Sequence, residues 1–163
     1  MRLIRPAARW PFATVAALAL GGLAAALVTQ HVFDMQPCPW CVLQRLVYVL
    51  IVMVALPGAL LRQRTVQQTS AALLLLLAIA GAAAALWQHF VAAASASCVQ
   101  TLADRIVRGL GLDEALPAVF AAYAACSDKP RLAGLPYEMW SLALFIAIGA
   151  MAALALRPLR RRR

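Results

Sequence analysis

Four cysteines hold the reactive chemistry of this chain. Cys38 and Cys41 stand two residues apart in "PCPWCVLQR", and Arg45 follows one helical turn further on. Cys98 and Cys126 are widely spaced in the second half. Thiol–disulfide exchange proceeds by thiolate attack on a disulfide sulfur, so paired cysteines beside a cation are candidates for redox work. An even count leaves three connectivities open, and local geometry favours Cys38–Cys41 with Cys98–Cys126. Two bland readings compete with redox. A zinc site is poorly supported, because Cys98 and Cys126 lack the C-x-x-C spacing that Cys38 and Cys41 have. A structural bridge between Cys98 and Cys126 would stabilise the chain by roughly 3–4 kcal/mol. That reading explains poorly why two thiols stand at Cys38 and Cys41, where so short a ring constrains little.

The elements that must position these thiols are membrane helices. Charged residues make up 13% of the chain and hydrophobic ones 64%, against roughly 25% charged in a soluble domain. Mean hydropathy is +0.82. The apolar excess falls in four blocks, about 12–30, 42–61, 71–91 and 139–156. A helix of about 20 residues crosses a hydrocarbon core roughly 30 Å thick. Backbone groups in lipid must bond internally, so each block is expected to be helical. The fold expected is an all-α, four-transmembrane-helix bundle forming a single membrane domain, 1–163, with outer loops at about 31–41 and 92–138. A basic start before an apolar run also describes a signal peptide. This run is longer than the usual core of about 7–15 residues, and no cleavage site with a polar mature segment follows. It is therefore expected to remain as the first helix.

Charge orients the bundle. Arg2, Arg5 and Arg9, then Arg62 and Arg64, then Arg157 and Arg160 to Arg163 fall on one side, with no acid among them. Asp34, Asp104, Asp113, Glu114, Asp128 and Glu138 are all six acids, and they fall on the other. Arginine in short connections marks the cytoplasm, so both termini are expected there. The net charge of +9 is read as an orientation signal, with membrane lipid and no nucleic acid as the partner of the basic tail. Trp40, Trp87 and Trp140 fall at outer helix ends and Trp10 at an inner one, as in interfacial aromatic belts. All four cysteines then face the outer compartment, which in a bacterial cell is the oxidising periplasm.

Cys41 lies at the first-turn boundary of the second helix. Free N–H groups and the helix dipole there favour negative charge on its sulfur. Arg45 at i+4 shares that face and adds to the effect. An arginine snorkelling to the interface is the plainer reading of Arg45; the adjacent thiol favours the functional one.

These features together resemble the DsbB family of bacterial disulfide-forming membrane proteins. The resemblance rests on "PCPWCVLQR" before the second helix, two cysteines in the second outer loop and "GLPYEMWSLALF" opening the fourth helix, and it covers nearly the whole chain. It implies a quinone-dependent thiol:disulfide oxidoreductase of the inner membrane. A periplasmic DsbA-like thioredoxin-fold protein would be its dithiol partner and ubiquinone or menaquinone its acceptor. The relay of DsbA, DsbB and quinone is the known means by which the periplasm is kept oxidising. By the same resemblance Cys98 would meet the partner, Cys126 would pass electrons to Cys38, and Cys41 would face the quinone with Arg45. His89 in "WQHF" falls where the family places a histidine near the quinone; an interfacial polar residue is the alternative. Gln44 stands where an acid can stand, and Pro39–Trp40 fill the motif, changes expected to shift redox potential without removing a reacting group. The vitamin K epoxide reductase-like group also joins four helices with C-x-x-C, but there the loop cysteines come first. The rival from another class is a disulfide-stapled or metal-binding structural membrane protein.

Between Cys98 and Cys126, apolar Val99, Leu102, Ala103, Ile106, Val107 and Leu110 recur at helical spacing, and Gly109 and Gly111 follow as stops. This segment is expected to be a short helix, lying on the outer leaflet or packed on the top of the bundle.

Overall fold

The computed structural model describes residues 9–92, 101–125 and 131–160. Four long helices dominate it: α1 (Trp10–Phe33), α2 (Pro39–Leu60), α3 (Arg64–Phe90) and, after the second outer segment, α7 (Tyr137–Arg160). All four are long and apolar enough to cross a membrane. Between α3 and α7 come α4 (Leu102–Gly109), α5 (Leu112–Ala115), α6 (Pro117–Phe120) and a two-residue antiparallel hairpin, β1 (Arg131–Leu132) with β2 (Leu135–Pro136). The chain is thus an all-α multi-pass membrane protein; among the described residues, the short helices α5 and α6 and the small hairpin are additions to the expected plan. Cys98 and Cys126 lie outside the described residues.

The helices run further than the apolar blocks that announce them. α3 begins seven residues early, at Arg64, because Gln67 and Ser70 turn inward with Ala71 and Leu74. Gln67 Nε2 donates to the carbonyls of Gly58 (3.4 Å) and Leu61 (3.3 Å), which ties the α2–α3 turn together. At the same end, Arg9 donates to the carbonyls of Ala59 and Leu60, two of the groups that the end of α2 leaves unpaired.

In sequence order α1, α2, α3 and α7 pack as a closed ring of neighbours. Lipid is as apolar as leucine, so close packing of small residues must hold such a bundle together. The core accordingly combines Ala19, Ala55, Ala71 and Ala78 with Phe12, Ile51, Leu74, Phe145 and Ile148. Phe145 stacks on Tyr48 with centroids 4.6 Å apart, and the Tyr48 hydroxyl lies 2.7 Å from Ser141 Oγ. Gly81 lets α3 meet that ring, since a Cβ there would stand 2.4–2.5 Å from it.

The segment read as a short helix is α4. Thr101 and Asp104 form a reciprocal capping box at its start. Its Ala103 and Val107 are buried; Val107 joins Val42 of α2 and Phe120 of α6 in one cluster. Leu102, Ile106 and Leu110 point outward and are exposed. α4 therefore packs on the bundle by its inner face while presenting an apolar outer edge.

Candidate functional site

The C-x-x-C motif is the first turn of α2. Cys38 is the N-cap, with extended backbone, and Pro39 takes the first helical position, where a missing N–H costs nothing. Cys41 is therefore the third helical residue, and its N–H points back to Cys38 Sγ at 3.4 Å. That is the capping contact a serine or threonine oxygen usually makes. Capping brings the two sulfurs to 3.0 Å, near the separation of about 2.05 Å at which they bond. Cys38 is 3% exposed and shares a buried cluster with Trp40, Ala84, Ala92 and Ala103. Trp40, at the start of α2 as expected, is buried and tilted against Trp87 at 6.3 Å.

Two polar networks meet at this turn. On the α3 side, Gln88 Nε2 lies 3.4 Å from Cys38 Sγ and 3.2 Å from Cys41 Sγ. Gln44 Nε2 donates to Gln88 Oε1 at 2.7 Å. On the α1 side, Arg45 is 4% exposed rather than snorkelling outward. Its Nη1 donates to Gln30 Oε1 and to the Val119 carbonyl (2.9 Å), and its Nη2 to the Ala26 carbonyl (3.1 Å). Its buried Nε–H has no partner among the described residues.

A cavity of about 540 Å³ opens between α1, α2 and α7. Cys41 and Arg45 both line it, with Gln44, Tyr48, Tyr137 and Ser141 as its other polar side chains beside Thr29. Gly21, Gly22, Ala25, Ala143 and Ala147 form much of its apolar wall. Volumes of roughly 300–1,000 Å³ with a few convergent polar groups are typical of small-molecule sites. The residues present fit a quinone: walls of small apolar residues, the Cys41 sulfur, and a buried cationic side chain with an N–H unpaired among the described residues.

Of the sequence-derived site residues, the structure brings together Cys38, Cys41 and Arg45. His89 stands elsewhere: its Nδ1 lies 2.8 Å from Glu138 Oε1, joining the end of α3 to the first turn of α7, and it is not among the cavity-lining residues. The outer segment also reaches the motif. The Tyr123 and Ala124 N–H groups donate to the Pro37 carbonyl (3.0 and 3.2 Å), and Cys126 follows Ala124 by two residues of sequence. Sequence reading passed over Gln30, Gln88 and Tyr137. Gln88 was legible in principle, since Gln67, Leu74, Gly81 and Gln88 recur every seventh residue on the inward stripe of α3.

A buried dithiol at the head of a membrane helix, facing an apolar cavity, defines a multi-pass membrane protein of thiol chemistry. The family model described as Disulfide bond formation protein DsbB matches residues 8–155. Disulfide bond formation protein B of Dechloromonas aromatica is 33% identical over 154 residues, covering 91% of this chain and 92% of that protein. The protein of the same name from Ralstonia nicotianae is 32% identical over 93% of this chain and 95% of its own length. Disulfide bond formation protein B 1 of Pseudomonas fluorescens strain Pf0-1 is 32% identical over 80% and 79%. This chain belongs to the DsbB family. It is a membrane disulfide bond formation protein with the role of a disulfide oxidoreductase.

Proposed function

We propose that the chain reoxidises a DsbA-like dithiol protein and passes the electrons to a membrane quinone, with Cys38, Cys41, Cys98 and Cys126 as the catalytic residues. The observation that carries the quinone half is the shared cavity: Cys41 lines it together with an arginine whose buried N–H lacks an acceptor. The net reaction converts a dithiol and a quinone to a disulfide and a quinol. A partner thiolate attacks Cys98, forming a mixed disulfide and releasing Cys126. The partner's second thiol then displaces Cys98, leaving the partner oxidised. Cys126 attacks Cys38, the Cys38–Cys41 bond breaks, and Cys41 leaves as a thiolate. Cys98 closes back on Cys126 and releases Cys38, so the electron pair now resides on Cys38 and Cys41.

A bound quinone supplies a two-electron, two-proton acceptor beside Cys41. The protein's own part is to hold it and keep water away. Arg45 would offer the quinone a charged donor, and the small apolar residues of α1 and α7 that line the cavity would hold it. His89, paired with Glu138 on the neighbouring seam, acts at most from outside this cavity. Cys38 lies in the buried cluster that includes Ala103, so α4 must lift when Cys126 reaches it. The reading carries with it a single membrane domain in the bacterial inner membrane, with cytoplasmic termini and periplasmic cysteine loops. The arginine distribution and the pairing of Arg9 with the α2–α3 turn support that orientation.

The test is turnover by the purified full chain with a reduced DsbA-like thioredoxin-fold protein and a short-chain ubiquinone or menaquinone. One quinone is expected to be consumed for each dithiol oxidised, and Cys41→Ser is expected to abolish turnover. Full activity in Cys41→Ser would overturn the proposal.

A further inference from the structure

The Gln44–Gln88 pair touches both sulfurs of the motif and has no place in the electron path just described. A primary amide nitrogen carries two N–H donors, and Gln88 Nε2 stands 3.4 Å from one sulfur and 3.2 Å from the other. The amide could turn either way if left alone. In the structure Gln44 Nε2 donates to Gln88 Oε1 at 2.7 Å, so oxygen faces Gln44 and nitrogen faces the thiols. Both glutamines are buried among apolar neighbours, where a hydrogen bond is stronger than in water.

We propose that Gln88, oriented by Gln44, is a positioning residue that makes the Cys38–Cys41 pair a stronger oxidant. The inference rests on the reading of Cys38–Cys41 as a redox pair. The half-reaction takes the disulfide, two electrons and one proton to a thiol and a thiolate. An N–H donor favours sulfur carrying negative charge over a neutral disulfide sulfur, as charge-assisted bonds are the stronger ones. It therefore stabilises the reduced side, and a pair whose reduced form is stabilised is the more oxidising. Gln44 contacts neither sulfur by any recorded hydrogen bond; it acts through Gln88.

The experiment equilibrates the full chain carrying Cys98→Ala and Cys126→Ala, so that one pair titrates, against dithiothreitol and its oxidised form. Alkylation of the free thiols reads the ratio. Gln88→Leu is expected to lower the equilibrium constant for reduction about tenfold or more, a potential shift of about 30 mV per tenfold for a two-electron couple. Gln44→Leu is expected to give a smaller drop, and none when added to Gln88→Leu. Helix content by circular dichroism selects the folded variants, and Gln44→Leu carries the test where Gln88→Leu does not fold. A folded Gln88→Leu, or Gln44→Leu in its place, within twofold of the parent would overturn the inference. So would full additivity of the two substitutions, since it would leave Gln44 acting on its own. Quinone is absent from this measurement, so a shifted constant in a chain that fails to reduce quinone would sink the functional proposal and leave this one standing.

Discussion

Arg45 offers the sharpest test of the cavity. Methionine at this position keeps an unbranched apolar stem and removes every donor. The guanidinium occupies three acceptors, Gln30 Oε1 and the carbonyls of Val119 and Ala26, and the side chain also lines the cavity. Two losses follow, and they are separable. For folding, a buried acceptor left without its donor costs about 1–3 kcal/mol. Three acceptors are orphaned, and relief from burying a cation offsets much of their summed cost, so the net loss is expected at about 1–3 kcal/mol, read as a lower unfolding midpoint in detergent. For binding, a hydrogen bond to a charged group contributes about 1.5–3 kcal/mol, equivalent to roughly a 10- to 150-fold rise in quinone Kd. Arg45→Lys is expected to fall between, because an ammonium keeps the charge but lacks the planar fork that reaches three acceptors. Equilibrium dialysis of a short-chain quinone against each folded variant gives Kd, and turnover with reduced partner gives kcat. A folded Arg45→Met whose Kd lies within twofold of the parent would refute the assignment of this cavity to the quinone.

The remaining predictions concern the frame around the motif. Gly81→Ala drives a methyl into the Phe145 ring, which is buried and held by Tyr48; overpacking of this kind costs about 1–3 kcal/mol, and an unchanged unfolding midpoint would contradict the close α3–α7 crossing. Val107→Asp puts a charge into the cluster of Val42 and Phe120 and is expected to lift α4, so that maleimide labels Cys38 at least tenfold faster in a Cys41→Ser background. An unchanged labelling rate would mean that α4 does not guard Cys38. Thr101→Ala removes the capping box of α4; a loss of about 1 kcal/mol is expected as faster amide exchange over residues 104–109, with exchange in α2 unaltered.

Much of this was readable before any coordinates. Four long apolar blocks leave no option but helices in lipid, and the placement of Pro39 after Cys38 is a helix start in plain view. What composition cannot supply is the direction in which a polar side chain turns at a helix face. Arg45 was readable both as a snorkelling interfacial residue and as a site residue; three acceptors drawn from α1 and the residue Val119 of α6 hold it inside rather than snorkelling, and neither segment adjoins it in sequence. His89 drew attention because the resembling family places a histidine near the quinone there, while its neighbour Gln88 lies on the inward stripe and reaches the thiols. The two differ by one residue, or about 100° around the helix, and that rotation separates a residue paired with Glu138 from one that touches both sulfurs. Trp40 stands at a helix end as its position suggested, and what the sequence could not show is that it packs against Ala84 and Trp87 of α3 there.

Polar groups inside a bilayer are costly and mark functional paths, and the distribution here has a direction. Gln44 and Gln88 form one satisfied pair on the α3 side, and all their recorded hydrogen bonds go to each other or to the sulfurs. Arg45 and Gln30 form another on the α1 side, anchored to α6 through Val119. Cys41 stands between the two, with an amide donor at its back and the cavity in front. The single buried donor of this group left without a partner is Arg45 Nε–H, among the described residues. Cys41 and Arg45 line one and the same cavity, so a ligand bound there with an acceptor oxygen would meet the sulfur and the cation together.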